Sequence, residues 1–222
     1  MVHRTHQQPK AGAGSLKQKA HEEILQRILA GQFAPGDLLN RRSVAREFGM
    51  STAPVHEAML QLEREGFLEA LPRLGTRVRL VTREDVRGNM VLREALECQA
   101  VRMISGERIR RAQRALAPLA AAADQQGATM DKRARAEVAF HLALVELAGC
   151  EALAREYRRV MRIGLFHHIN SLMEMPVLAP ADCHGALLRK LTKASPDAAE
   201  AAMRAHIWSG KPQGLRETDA KE

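Results

Sequence analysis

The chain has 222 residues and a mass of 24.6 kDa, enough for one or two domains with a buried core. Its 34 Lys+Arg against 26 Asp+Glu leave a formal net charge of +8, compatible with a polyanionic partner, while aromatics at 3% argue against an all-β sandwich and for a helical core. Cys98, Cys150 and Cys183 are odd in number, far apart and outside any CxxC spacing, which excludes a disulfide framework and a thiolate zinc cage and fits a reducing cytoplasm.

The longest strongly apolar uncharged stretch, Ala115 to Ala123, is nine residues long and contains Pro118, whereas a spanning helix needs about 20. The N-terminus carries scattered polar and charged residues with no apolar core, so it does not read as a secretory signal. Residues 1–14, ending in Ala-Gly-Ala-Gly, read as a flexible tail.

From Leu16, apolar Ala20, Ile24, Ile28 and Leu29 recur at helical spacing until Gly31, and Phe33-Ala34-Pro35-Gly36-Asp37 has turn chemistry. A short helix over Arg42 to Phe48 follows, broken by Gly49. Ser51 then offers an N-cap oxygen to a third helix, which tolerates Pro54 in its first turn, buries Val55, Ala58, Met59 and Leu62, and ends at Gly66. Beyond it the period changes to alternation. Phe67-Leu68 to Leu71 and Thr76 to Val81 predict two short strands around Pro72-Arg73-Leu74-Gly75, with Arg73, Arg77 and Arg79 near the turn. Three helices and a β-hairpin are the order of a winged helix-turn-helix, placed at 15–81.

Residues 82–222 predict an all-helical domain. Thr82-Arg83-Glu84-Asp85 has capping-box character, and breaks at Gly127, Gly149, Pro176/Pro180 and Ser195-Pro196 leave helices near 84–104, 106–125, 130–148, 151–174, 183–194 and 196–209, with a frayed polar end. The fold class is therefore mainly α, a winged helix-turn-helix followed by an all-α helical bundle.

The run Leu29 to Leu39, then Val44-Ala45 to Gly49-Met50-Ser51, then Pro54-Val55-His56-Glu57-Ala58 to Gly66-Phe67-Leu68 resembles the GntR family of bacterial transcription regulators. Leu92-Arg93-Glu94-Ala95-Leu96-Glu97, Phe140-His141, His184 and Ala205-His206 resemble the all-helical FCD effector domain of its FadR-type branch. The resemblance implies a dimeric repressor that reads a pseudo-palindromic operator, with the third helix in the major groove and the wing near the minor groove. It marks Arg42, Ser51, Thr52, His56 and Gly75 as DNA-binding positions. Thr52 and His56 stand where the family usually has arginines, so operator preference is expected to differ. Residues 1–80 hold 12 basic and 8 acidic side chains, a net of +4, so charge alone would equally describe a solvated face.

Glu137 and His141 are i and i+4 on one predicted helix and share a face. His184 and His206 lie about eleven residues either side of the Ser195-Pro196-Asp197 break, so two antiparallel helices with a rise of about 1.5 Å per residue would bring them level. Three imidazoles and a carboxylate suit a divalent ion, zinc first, with nickel, manganese or iron as alternatives. The FCD resemblance implies the same four positions as the metal site, with Glu137 in place of the usual Asp. It also implies Arg93 as the group that holds the carboxylate of a small organic-acid effector. The plainer readings are a surface Glu137–His141 pair, core-packed histidines and a surface Arg93–Glu97 pair. His167-His168 are adjacent and diverge by about 100 degrees, so at most one could face such a pocket. The cysteines read as core or incidental residues. A metal-dependent hydrolase and a pure metal sensor are the alternatives, although no HExxH, nucleophile elbow, P-loop or GxGxxG occurs.

Overall fold

The computed structural model describes residues 11–127, 129–170 and 183–209, together with 211 and 215. The chain divides into two units between Leu80 and Val81. The tail residues 1–10, helix positions 171–174, the Pro176/Pro180 break and most of the polar end lie outside the described residues.

In the first unit α1 (Ala11–Leu29) runs to the Phe33–Asp37 turn, followed by β1 (Leu38–Leu39), α2 (Arg41–Glu47), α3 (Thr52–Glu65), β2 (Leu68–Leu71) and β3 (Gly75–Val78). The apolar stripe of α1, Ala20, Ile24 and Ile28, is buried, as is that of α3, Val55, Ala58, Met59 and Leu62; the two helices pack together. The helix starts five residues before Leu16 and takes in the Ala11–Gly14 segment assigned to the tail, since extending an existing helix adds a hydrogen bond per residue and two glycines cost only about 1 kcal/mol each.

Three antiparallel strands form one sheet in the order β1-β3-β2, with Leu38 opposite Arg77 and Leu68 opposite Val78. The two-residue strand β1 escaped sequence analysis because two residues show no period. It is pinned by the predicted turn: Gly36 at φ +91 donates its N–H to the Val78 carbonyl at 2.9 Å, and Val78 donates back to Asp37 at 2.9 Å.

Ser51 occupies the N-cap of α3 in extended conformation, but its side chain makes no capping hydrogen bond, contrary to the expectation. A capping oxygen usually takes the N–H of the second or third helical residue, and the third here is Pro54, which has none. The cap that does form belongs to Asn40, whose Oδ1 accepts from the Arg42 and Ser43 N–H groups of α2 at 2.9 and 3.2 Å.

In the second unit the described elements are α4 (Arg83–Ile104), α5 (Glu107–Ala123), α6 (Met130–Leu147), α7 (Glu151–Asn170), α8 (Cys183–Leu191) and α9 (Pro196–Trp208). Several of the starts and stops have a local cause. Thr82 and Asp85 exchange both bonds of a capping box, Thr129 and Ser195 cap α6 and α9, and Gly149 adopts φ +70 before α7. The core of Val101, Ile104, Ile109, Phe140, Leu144, Tyr157 and Met203 surrounds a group of buried polar side chains, Arg93, Glu97, His141 and His184. Mainly-α architecture, a winged helix-turn-helix unit followed by a helical bundle, is what the chain builds.

Candidate functional site

The recognition side of the first unit is carried by α2, α3 and the β2–β3 turn. Arg42, Ser51 and Thr52 are exposed and His56 is half-buried on α3. At the wing tip Gly75 has φ +109 and Arg73 has φ +67, a backbone region costly for arginine, so the tip displays Arg73 on a constrained turn. Of the wing arginines expected near the turn, Arg77 is matched by Glu69 across the β2–β3 pair, with Nη2 2.9 Å from the carboxylate. Arg41, not singled out from sequence, sets its Nη1 3.1 Å from His56 Nδ1.

The second unit gathers His141 from α6, His184 from α8 and His206 from α9. Their ligand nitrogens lie within 4.8 Å of one another, and ring centroids are 5.4 Å apart for His141–His184, 5.0 Å for His141–His206 and 4.8 Å for His184–His206. His141 and His184 are buried, and Phe140 sets its ring edge-on to both at 5.3 Å. The expectation that the Ser195-Pro196 break would level His184 with His206 describes this packing of α8 against α9.

Two carboxylates that sequence analysis missed orient the rings. His141 Nδ1 lies 2.5 Å from Glu97 Oε2 and His184 Nδ1 lies 2.7 Å from Asp124 Oδ1, so in each ring Nδ1 donates to a carboxylate and Nε2 is left to face the cluster. His141 Nε2 meets His206 Nε2 at 3.1 Å, and His184 Nε2 is buried with no hydrogen-bond partner among the described residues. Burial first, and then the neighbouring His141, lowers the affinity of His184 for a proton; the same causes, with His184 added, bring His206 down to about 3. Neutral rings are what a metal ion requires. A buried lone pair without a donor, beside two further imidazole nitrogens, is a donor set that zinc and its divalent neighbours fit.

Glu137 stands apart from this cluster. Its Oε1 takes Arg93 Nη1 at 3.0 Å, and burial, which would raise its pKa, is overcome by the charges of Arg93 and His141, so it is held well below the usual carboxylate range. The extra methylene relative to Asp gives it reach towards Arg93. Arg93, expected to present an open guanidinium, is buried on α4 and also donates Nε to Glu97 Oε1 at 2.8 Å. Glu97 accepts Tyr157 Oη at 2.9 Å as well, and despite burial the charges of His141 and Arg93 hold it at about 2. The Arg93–Glu97 pair therefore exists, but in the interior and not on the surface.

Asp124 follows the last turn of α5 and does two things. Besides orienting His184, it accepts the backbone N–H groups of His184 and Gly185 at 3.1 and 2.9 Å, capping α8. Nothing local in the sequence ties Asp124 to a residue 60 positions on. Glu97 had a signal, its i,i+4 relation to Arg93, but not one that says the pair is buried. Cys183 lies 3.2 Å from His184 Nδ1, and burial with Asp124 alongside pushes its thiol up to about 12, which fits an inert packing role. His167 is buried on α7 and is not in the histidine cluster; the His168 side chain lies outside the described residues.

A winged helix-turn-helix unit joined to a helical bundle is the architecture of a DNA-binding regulator. Residues 16–78 match the gntR family of bacterial regulatory proteins and residues 90–208 match the FCD domain, and the chain belongs to this family of GntR transcription regulators with an FCD domain. It is 27% identical to the HTH-type transcriptional repressor RspR of Escherichia coli (strain K12) over 203 residues, 86% of each chain. It is 34% identical to the uncharacterized HTH-type transcriptional regulator YdhC of Bacillus subtilis (strain 168) over 87 residues, 39% of each chain. A solved GntR regulator from Rhodococcus sp. RHA1 has the same fold, with TM-score 0.69 and 21% identity over 87% of this chain and 94% of that one. The family and these relatives are transcription regulators, which leaves the hydrolase alternative without support.

Proposed function

We propose that the protein is a homodimeric repressor in the cytoplasm, binding a pseudo-palindromic operator through Arg42, Ser51, Thr52, His56 and Gly75, and responding to a divalent ion and a small organic acid in the FCD domain. The observation that carries the ion is the buried Nε2 of His184, without a partner among the described residues, beside the Nε2 atoms of His141 and His206. These three would hold the metal, with Glu97 and Asp124 behind two of them; when bound, the ion supplies a Lewis-acidic open position for an anionic oxygen.

An organic acid would enter this reading by exchange. Its carboxylate would replace Glu137 on Arg93, trading one carboxylate–guanidinium pair for another and leaving Glu137 to be resettled. Operator affinity changes only if the acid favours one conformation of the dimer over the other, since equal affinity for both shifts nothing. That Arg93 is already held by two carboxylates favours a second reading, in which the ion alone is the signal.

The test is operator selection from a genomic library by the full chain, followed by operator titration with and without zinc and with a panel of simple mono- and dicarboxylic acids. A recovered pseudo-palindrome whose affinity responds to an acid only in the zinc-loaded protein supports the proposal. Acids that bind without changing operator affinity at fixed metal and salt overturn the effector half. A response to chelation alone, with none to any acid, establishes the metal-sensor reading.

A further inference from the structure

We propose that Arg41 is a base-reading residue of the operator interface: leaning from α2 onto His56 of α3, it supplies the guanidinium that the first turns of the recognition helix lack and takes a guanine edge in the major groove. The proposal needs only the DNA-binding half of the protein and is independent of the metal centre.

Three observations carry it. Arg41 is the first residue of α2, and its Nη1 lies 3.1 Å from Nδ1 and 3.4 Å from Nε2 of the His56 ring. A guanidinium has only donors, so the ring nitrogen it meets is an acceptor, and His56 serves as a bracket that holds the fork beside α3. The exposed Arg41 also meets no carboxylate among the described residues, whereas Arg27 on α1 is matched by Glu23 and Glu47 and Arg77 on β3 by Glu69. Its charge is therefore unneutralised at the recognition helix, where a polyanion is to dock.

The chemistry then selects the partner group. His56 has a single acceptor nitrogen and occupies one of the five guanidinium N–H groups, and the remainder form a planar donor set that matches the paired O6 and N7 acceptors of guanine. Thr52 and His56 on α3 can each make only single contacts with a base edge. Arg41 thus restores bidentate reading from a neighbouring helix, at a place in the sequence where the spacing of α3 gives no hint of it. For this guanine His56 acts through Arg41, as a positioning residue, apart from the single contact it can make itself.

The experiment is selection of bound DNA from a random library by the full-length protein at fixed salt, comparing wild type with Arg41→Lys, Arg41→Ala and His56→Ala, after checking that melting temperatures agree. Wild type is expected to enrich a guanine at one position of each half-site. Arg41→Ala and Arg41→Lys should both relax that position alone and weaken the selected operator about tenfold, the lysine failing because it keeps charge but not the fork. His56→Ala should relax the same position. The proposal is overturned if base preferences are unchanged while affinity for operator and random DNA falls equally and the salt slope drops by about one, the signature of a phosphate contact. It is also overturned if Arg41→Lys reads like wild type, if His56→Ala relaxes a different position, or if wild type enriches no guanine.

Discussion

The recognition surface and the histidine centre solve opposite problems. The first is built from neighbours in sequence: α2, a four-residue step and α3 place Arg41, Arg42, Ser51, Thr52 and His56 within 16 residues, with the exposed arginines available to a large partner. The second draws Glu97 from α4, Asp124 from the end of α5, His141 from α6, His184 from α8 and His206 from α9 into the interior, where every polar atom needs a partner or a ligand. An exposed site tolerates substitution because water replaces what is lost, and a buried one does not. Single changes should therefore cost far more in the second unit than in the first.

The largest expected effect tests the buried side. Glu97→Ala strands Arg93 without one of its carboxylates and leaves the His141 Nδ1–H and the Tyr157 hydroxyl without their acceptor. Breaking such a buried set should destabilise the helical unit by about 3–5 kcal/mol, read by chemical denaturation. A loss below 1 kcal/mol would mean that the centre is hydrated and the contrast is wrong.

Asp124→Asn separates the two duties of that residue. Asparagine keeps one acceptor oxygen where Asp124 uses Oδ1 for the His184 N–H and Oδ2 for the Gly185 N–H, so α8 keeps one of its two cap bonds while the carboxylate behind His184 is lost. Zinc affinity, measured by competition with a chelator, should fall about 10–100-fold, while stability falls by only about 1 kcal/mol for the one cap bond lost. Equal falls in both quantities would instead make Asp124 chiefly a packing residue.

On the exposed side two capping positions sharpen the comparison from within one unit. Asn40→Ala removes the acceptor of two α2 N–H groups and should cost about 1 kcal/mol. Ser51→Ala, at the neighbouring cap, should change stability by less than about 0.5 kcal/mol, because its hydroxyl makes no cap bond above Pro54. A Ser51→Ala loss near that of Asn40→Ala would show that the cap forms in solution.

Most helix limits and the winged hairpin were legible because their causes are local. Capping at Thr82 and Ser195, stops at Gly66 and Gly149, and the change from helical to alternating period after Gly66 each act within a few residues. The three histidines were legible as candidates for a related reason, since i+4 spacing and symmetry about the Ser195-Pro196 turn are also short-range geometry. β1 was not, because Leu38 and Leu39 become a strand only by pairing with β3.

What the sequence by itself determined is therefore the mainly-α architecture, the winged unit, the family and the presence of histidines at matching levels. Only the tertiary structure decided that Glu137 turns to Arg93, that Glu97 and Asp124 orient the rings, and that Arg41 reaches His56. Secondary structure follows from torsional preference and periodicity, which a few adjacent residues express. Which charge a buried carboxylate meets depends on desolvation and packing between residues 44 to 60 positions apart, as for Glu97 with His141 and Asp124 with His184, and that choice is made only when the core closes.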